Sequence, residues 1–93
     1  MVKHVVMWRY RDKKDIDTAR EQLESLRNRV PSMLNIEVGV NILEDPSSYD
    51  LVLITEHENR ETLDAYQDDP FHVEVKRVLG KLESDRVVVD FEI

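Results

Sequence analysis

Cysteine is absent from the 93-residue chain, which excludes disulfides, thiolate metal sites and a cysteine nucleophile and leaves a reducing compartment compatible. Long apolar runs are missing as well. Near the N-terminus Val5-Val6-Met7-Trp8 stops at Arg9, short of a secretory core or of the roughly 18 apolar residues that a membrane span needs. A cytoplasmic protein with no membrane partner is expected. Positive charge is in deficit: thirteen Lys and Arg face twenty Asp and Glu, a formal charge of −7, with the basic residues scattered among acids. Phosphate backbones would be repelled, so nucleic acid is not an expected partner. The run Lys3 to Lys14 holds the one local excess of positive charge, and a solvated strand end explains it.

No repeat, low-complexity segment or linker interrupts the sequence, and residues 1–93 read as one domain. A chain of this size hides roughly 60–65% of the surface that its unfolded form exposes, so pairing with a second copy would add useful stability.

Val2 to Tyr10 is rich in β-branched and aromatic residues, the composition of a first strand. From Asp15, Ile16, Ala19, Leu23, Leu26 and Val30 recur at helical spacing, and Pro31 sets the end of a helix of about four turns. Leu34, Ile36, Val38, Val40 and Ile42 alternate with Asn35, Glu37, Gly39 and Asn41, which predicts a second strand with one buried face. A turn cluster, Glu44 to Ser48, leads into Tyr49–Thr55, a third strand whose Leu51-Val52-Leu53-Ile54 core is apolar on both parities. Asn59 can cap a short helix carrying Leu63 and Tyr66. Pro70 ends it, and a further helix restarts with Asp69 as its N-cap. Val87, Val89, Phe91 and Ile93 mark a fourth strand.

The order βαββαβ predicts an α+β, ferredoxin-like subunit: a four-stranded antiparallel sheet with helices on one face. Strands one and three would lie at its centre. Their apolar second face then needs a cover that the helices cannot supply, and the same face of a second subunit is the economical one, giving a two-fold homodimer.

Several segments, in order, resemble the stress-responsive dimeric α/β-barrel (Dabb) family: Val2-Lys3-His4-Val5-Val6, Val30-Pro31-Ser32-Met33, Glu37-Val38-Gly39-Val40-Asn41, Tyr49-Asp50-Leu51-Val52-Leu53, Ala65 to His72 and Val89-Asp90-Phe91-Glu92. The resemblance spans essentially the whole chain. It implies a dimeric barrel and uses that range from stress and defence proteins to polyketide cyclases.

In cyclase-type members a tyrosine and a histidine six residues later act together in a small-molecule cavity. They match Tyr66 and His72, the candidate catalytic pair. Aldol ring closure needs a base beside a carbonyl and a donor for the oxyanion, roles that imidazole and phenol fill without a metal or organic cofactor. Leu51 stands where the cyclase relative has another pocket histidine, and Asp69 where many members have a histidine. Uninterrupted helix would leave the pair about 120° apart, so the break at Pro70 must bring them together. His4 shares the parity of Val6, Trp8 and Tyr10, so His4 and Trp8 are candidate ligand-binding residues of the same cavity. The alternatives are ordinary: Tyr66 and His4 as core residues, His72 as a hydrogen-bonding residue at a helix start. His57 is expected to serve packing or to lie at the surface. The histidines lack the paired spacing of a metal site.

Overall fold

A computed structural model describes all residues 1–93. In chain order it contains β1 (Val2–Tyr10), α1 (Asp15–Glu24), β2 (Asn35–Val40), β3 (Leu51–His57), α2 (Arg60–Asp68), α3 (Pro70–Gly80) and β4 (Glu83–Glu92). The sheet is antiparallel throughout with strand order β2-β3-β1-β4, so β1 and β3 are central as expected.

Strand pairing sorts the side chains into two faces, because successive residues of a strand point to opposite sides. Val2, His4, Val6, Trp8 and Tyr10 of β1 lie beside Leu51, Leu53, Thr55 and His57 of β3, and all are buried under the helices. On the outer face Val5 stands between Ile54 and Val89, and Met7 between Val52 and Val87. Phe91 extends this apolar strip opposite Lys3.

The core joins β1 and β3 to Ala19, Leu23 and Leu26, to Leu63 and Tyr66 of α2, and to Val75 and Leu79 of α3. Helix α1 packs on β2 and β3, α2 on β1 and β3, and α3 on the other two helices. Strand β4 therefore keeps an uncovered flank, and its residues are largely exposed.

Four elements differ from expectation at their boundaries, among them β3, which runs from Leu51 to His57 and not from Tyr49 to Thr55. Regular helix stops at Glu24, not Val30, because the chain continues in tighter turns closed by Leu26 N–H to the Leu23 carbonyl and Arg29 N–H to the Leu26 carbonyl, with Asn28 in the left-handed region at φ 64°. Leu26 and Val30 still reach the core. Strand β2 is shorter than its alternating pattern: Leu34 and Ile42 lie beyond its ends and are 59% and 89% exposed. Strand β4 starts earlier than its apolar run, since pairing with β1 extends to Tyr10 and Glu83.

Candidate functional site

The chain break between α2 and α3 creates the local geometry of the site. Asn59 and Thr62 form a reciprocal capping box at the start of α2. At its end Asp69 adopts an extended conformation and accepts a hydrogen bond from Phe71 N–H at 2.9 Å, starting α3 with Pro70 in its first turn. The redirected chain lays the His72 ring on the Tyr66 ring, with centroids 3.9 Å apart and planes 22° from parallel.

His72 Nδ1–H donates to the Tyr66 backbone carbonyl at 3.0 Å, stitching α3 to the last turn of α2. That bond fixes the tautomer and leaves Nε2 with a lone pair and no partner in the protein. Burial, then the nearby Lys76 ammonium, pushes the imidazole down to about 4, against the opposing pull of the Tyr66 carbonyl. Desolvation thus keeps His72 neutral near pH 7.

Tyr66 is fully buried and is surrounded by imidazoles, with His57 at 4.9 Å and His4 at 5.9 Å between ring centroids. Its hydroxyl finds no hydrogen-bond partner, and burial holds its ionisation well above the ordinary phenol range.

The other two histidines are wired differently. His57 Nδ1–H donates to the Ser32 carbonyl at 2.9 Å, and its Nε2 accepts from the Thr55 hydroxyl at 2.8 Å. Both nitrogens are satisfied, burial lowers its protonation, and the ring serves packing. His4, also buried, directs Nδ1–H at the Asp90 carboxylate of β4, leaving Nε2 without a partner. A carboxylate in that position fixes the tautomer and orients the ring.

A cavity of about 350 Å³ lies between α3 and the β1–β4 half of the sheet. Its apolar wall comes from Val6, Leu53, Leu23 and Leu79. His4, Trp8 and His72 line it as well, and Gln67, Lys76, Glu83 and Arg86 supply its polar rim. The Trp8 indole N–H is buried and unpaired. Thus three of the four residues singled out from sequence border one cavity. Tyr66 does not: it backs His72 from inside the core.

Asp90, Lys76 and Arg86 were not singled out from sequence. Strand register was the available signal, for Asp90 lies opposite His4 and Arg86 opposite Trp8, on the helix-side face. No group of three or more carboxylate or imidazole residues is placed to hold a metal ion, and no helix is long and apolar enough to cross a membrane.

Comparison with known proteins gives a family and a fold. The model of the Stress responsive A/B Barrel Domain matches residues 2–93. A dimeric protein of unknown function with a ferredoxin-like fold, from Bacteroides fragilis, superposes with a TM-score of 0.83 at 27% identity, over 99% of this chain and 95% of its own. For a dimeric ferredoxin-like protein of unknown function from Thermobifida fusca the values are 0.87, 22%, 99% and 90%. For a hydroxynitrile lyase from Passiflora edulis they are 0.84, 20%, 99% and 92%. At such identities the latter two likenesses establish the fold alone. The curated proteins yield no match.

Proposed function

Because the chain belongs to the stress responsive A/B barrel domain family, we propose that it acts as a homodimer in which each subunit holds a small, largely apolar molecule in the cavity beside His72, with Tyr66 behind it. The observation that carries this reading is the cavity itself: aliphatic walls and a buried, unpaired indole N–H, beside His4 and His72, whose Nε2 atoms are accessible and make no hydrogen bond within the chain. Buried polar groups are normally satisfied, so unpaired ones around a cavity match a ligand's own donors and acceptors. The homodimer is supported by the apolar outer strip of Val5, Met7, Val52, Ile54, Val87, Val89 and Phe91, and by the dimeric relatives.

The test is a fragment screen on the purified protein read by the indole ¹⁵N–¹H resonance of Trp8, the sole tryptophan. Apolar fragments are expected to shift that resonance, and His72→Ala to weaken them. A screen in which no fragment moves any cavity resonance rejects the reading.

A second reading, a cofactor-independent cyclase, lyase or isomerase, is favoured by the His4–Asp90 pair. There His4 Nε2 or His72 Nε2 takes a proton from beside a carbonyl, and an unpaired donor meets the developing oxyanion. Turnover lost in His4→Gln or His72→Gln with binding still measurable would mark the enzyme; binding without turnover in the parent protein marks a carrier or sensor. A protein with neither would be a purely structural stress protein.

A further inference from the structure

We infer that the cavity takes an anionic small molecule, a carboxylate carried on an apolar body, and that Arg86 reads its charge. The inference rests on the cavity reading above and adds the chemical class of the occupant.

Charge on the cavity wall runs against charge on the chain. The protein carries −7 overall, yet the cavity is bordered by two cations, Lys76 and Arg86, and one carboxylate, Glu83. Three arginines meet carboxylates: Arg27 with Glu24, Arg60 with Glu92 and Arg77 with Glu74. The exposed Arg86 guanidinium, like that of Arg20, makes neither an ion pair nor a hydrogen bond; what distinguishes Arg86 is its place on the cavity wall. An unpaired guanidinium beside a partly enclosed, apolar space is a ready receptor for a planar carboxylate, which it can grip through two parallel hydrogen bonds.

The position of Arg86 gives it a partner in that task. It pairs with Trp8 across the β1–β4 ladder on the helix-side face, and Trp8 brings the buried, unpaired indole N–H to the same cavity. An indole N–H only donates, so it calls for an acceptor. Lys76, one turn beyond His72 on α3, lends a second positive charge while its ammonium donates to the Gln67 carbonyl at 3.0 Å. Donors and cations thus share one cavity lining with Val6, Leu53 and Leu79.

The experiment titrates the full chain with 3-phenylpropionate and with its neutral isostere 3-phenylpropionamide, following the Trp8 indole resonance. The carboxylate should bind at least about tenfold more tightly than the amide. Arg86→Gln should abolish that preference by weakening the carboxylate more than the amide. Arg20→Gln, which removes an equal charge elsewhere on the surface, should preserve it. Equal binding of the two probes overturns the inference but leaves the cavity reading standing. Loss of the preference in Arg20→Gln as great as in Arg86→Gln also overturns it, by assigning the effect to overall charge. If neither probe moves the resonance at about 10 mM, the inference falls, while the cavity reading is decided by the fragment screen.

Discussion

The two faces of the sheet are built from alternate residues of the same strands, yet they solve opposite problems. The outer face is chemically plain: Val, Met, Ile and Phe side chains at the centre, with Lys3–Glu56 at one end and Tyr49–Asp85 at the other. The inner face places His4, Thr55 and His57 in the middle of a hydrocarbon core, with Trp8 at the cavity. An apolar face left open gains free energy when a like face covers it, and needs only shape to do so. Buried imidazoles cost free energy unless each nitrogen is provided for, and here only His57 is fully provided for. The contrast teaches where to look: uniform chemistry on one face points to assembly, and expensive, partly satisfied chemistry on the other points to a ligand.

The sharpest way to break this comparison is to make the plain face expensive. Val5→Lys puts a charge at the centre of the outer strip, and a buried unpaired ammonium there should weaken association at least about 100-fold. Light scattering is expected to report a dimer for the parent protein and an 11.0 kDa chain for the variant; a dimer for both would detach the outer face from assembly.

On the inner face the largest loss should follow His57→Ala, which removes a core ring and strands the Thr55 hydroxyl. A cost of about 3 kcal/mol is expected in urea unfolding. A cost below about 1 kcal/mol would mean that the Ser32–His57–Thr55 chain holds nothing together.

Acid sensitivity comes next. His72 titrates near 4 in the folded protein against 6.5 ordinarily, so between these values the unfolded chain binds more protons. Its contribution to stability is full above pH 6.5 and is lost as pH falls towards 4, amounting to about 2–3 kcal/mol. His57 is lowered by burial too and adds in the same direction. Chemical denaturation across this range should show the slope in the parent protein and a shallower one in His72→Gln. Equal slopes would show that His72 is not desolvated in solution.

The smallest effect is expected at Tyr66→Phe. The hydroxyl has no partner, so its loss should change the stability of the ligand-free protein by less than about 1 kcal/mol. A larger loss would reveal an intramolecular hydrogen bond at that hydroxyl.

Much of this architecture was readable from residue spacing, although its limits were instructive. The parity of β1 gave the inner set Val2, His4, Val6, Trp8 and Tyr10 directly, because a strand has only two faces. Helix α1 was overread because Leu26 and Val30 keep helical spacing while the backbone has already left the helix; periodicity records which side chains face the core, not which hydrogen bonds close the turns. In β2 the alternation of Leu34 to Ile42 outran the ladder, which runs only from Asn35–Glu56 to Val40–Leu51. At the site, the break at Pro70 was legible, and the stacking of His72 on Tyr66 follows from it. The roles of Asp90 and Arg86 were not legible, because a residue 86 positions from His4 or 78 from Trp8 becomes a neighbour only through strand register.

The sequence by itself determined the βαββαβ order, the central place of β1 and β3, and an outer face that calls for a cover, all of which follow from local periodicity and turn chemistry. Only the tertiary structure decided that His57 is a packing element and that His4, held by a carboxylate, and His72, held by a backbone carbonyl, border a cavity. Protonation and hydrogen bonding depend on what stands within a few ångströms of a ring, and those neighbours come from distant parts of the chain.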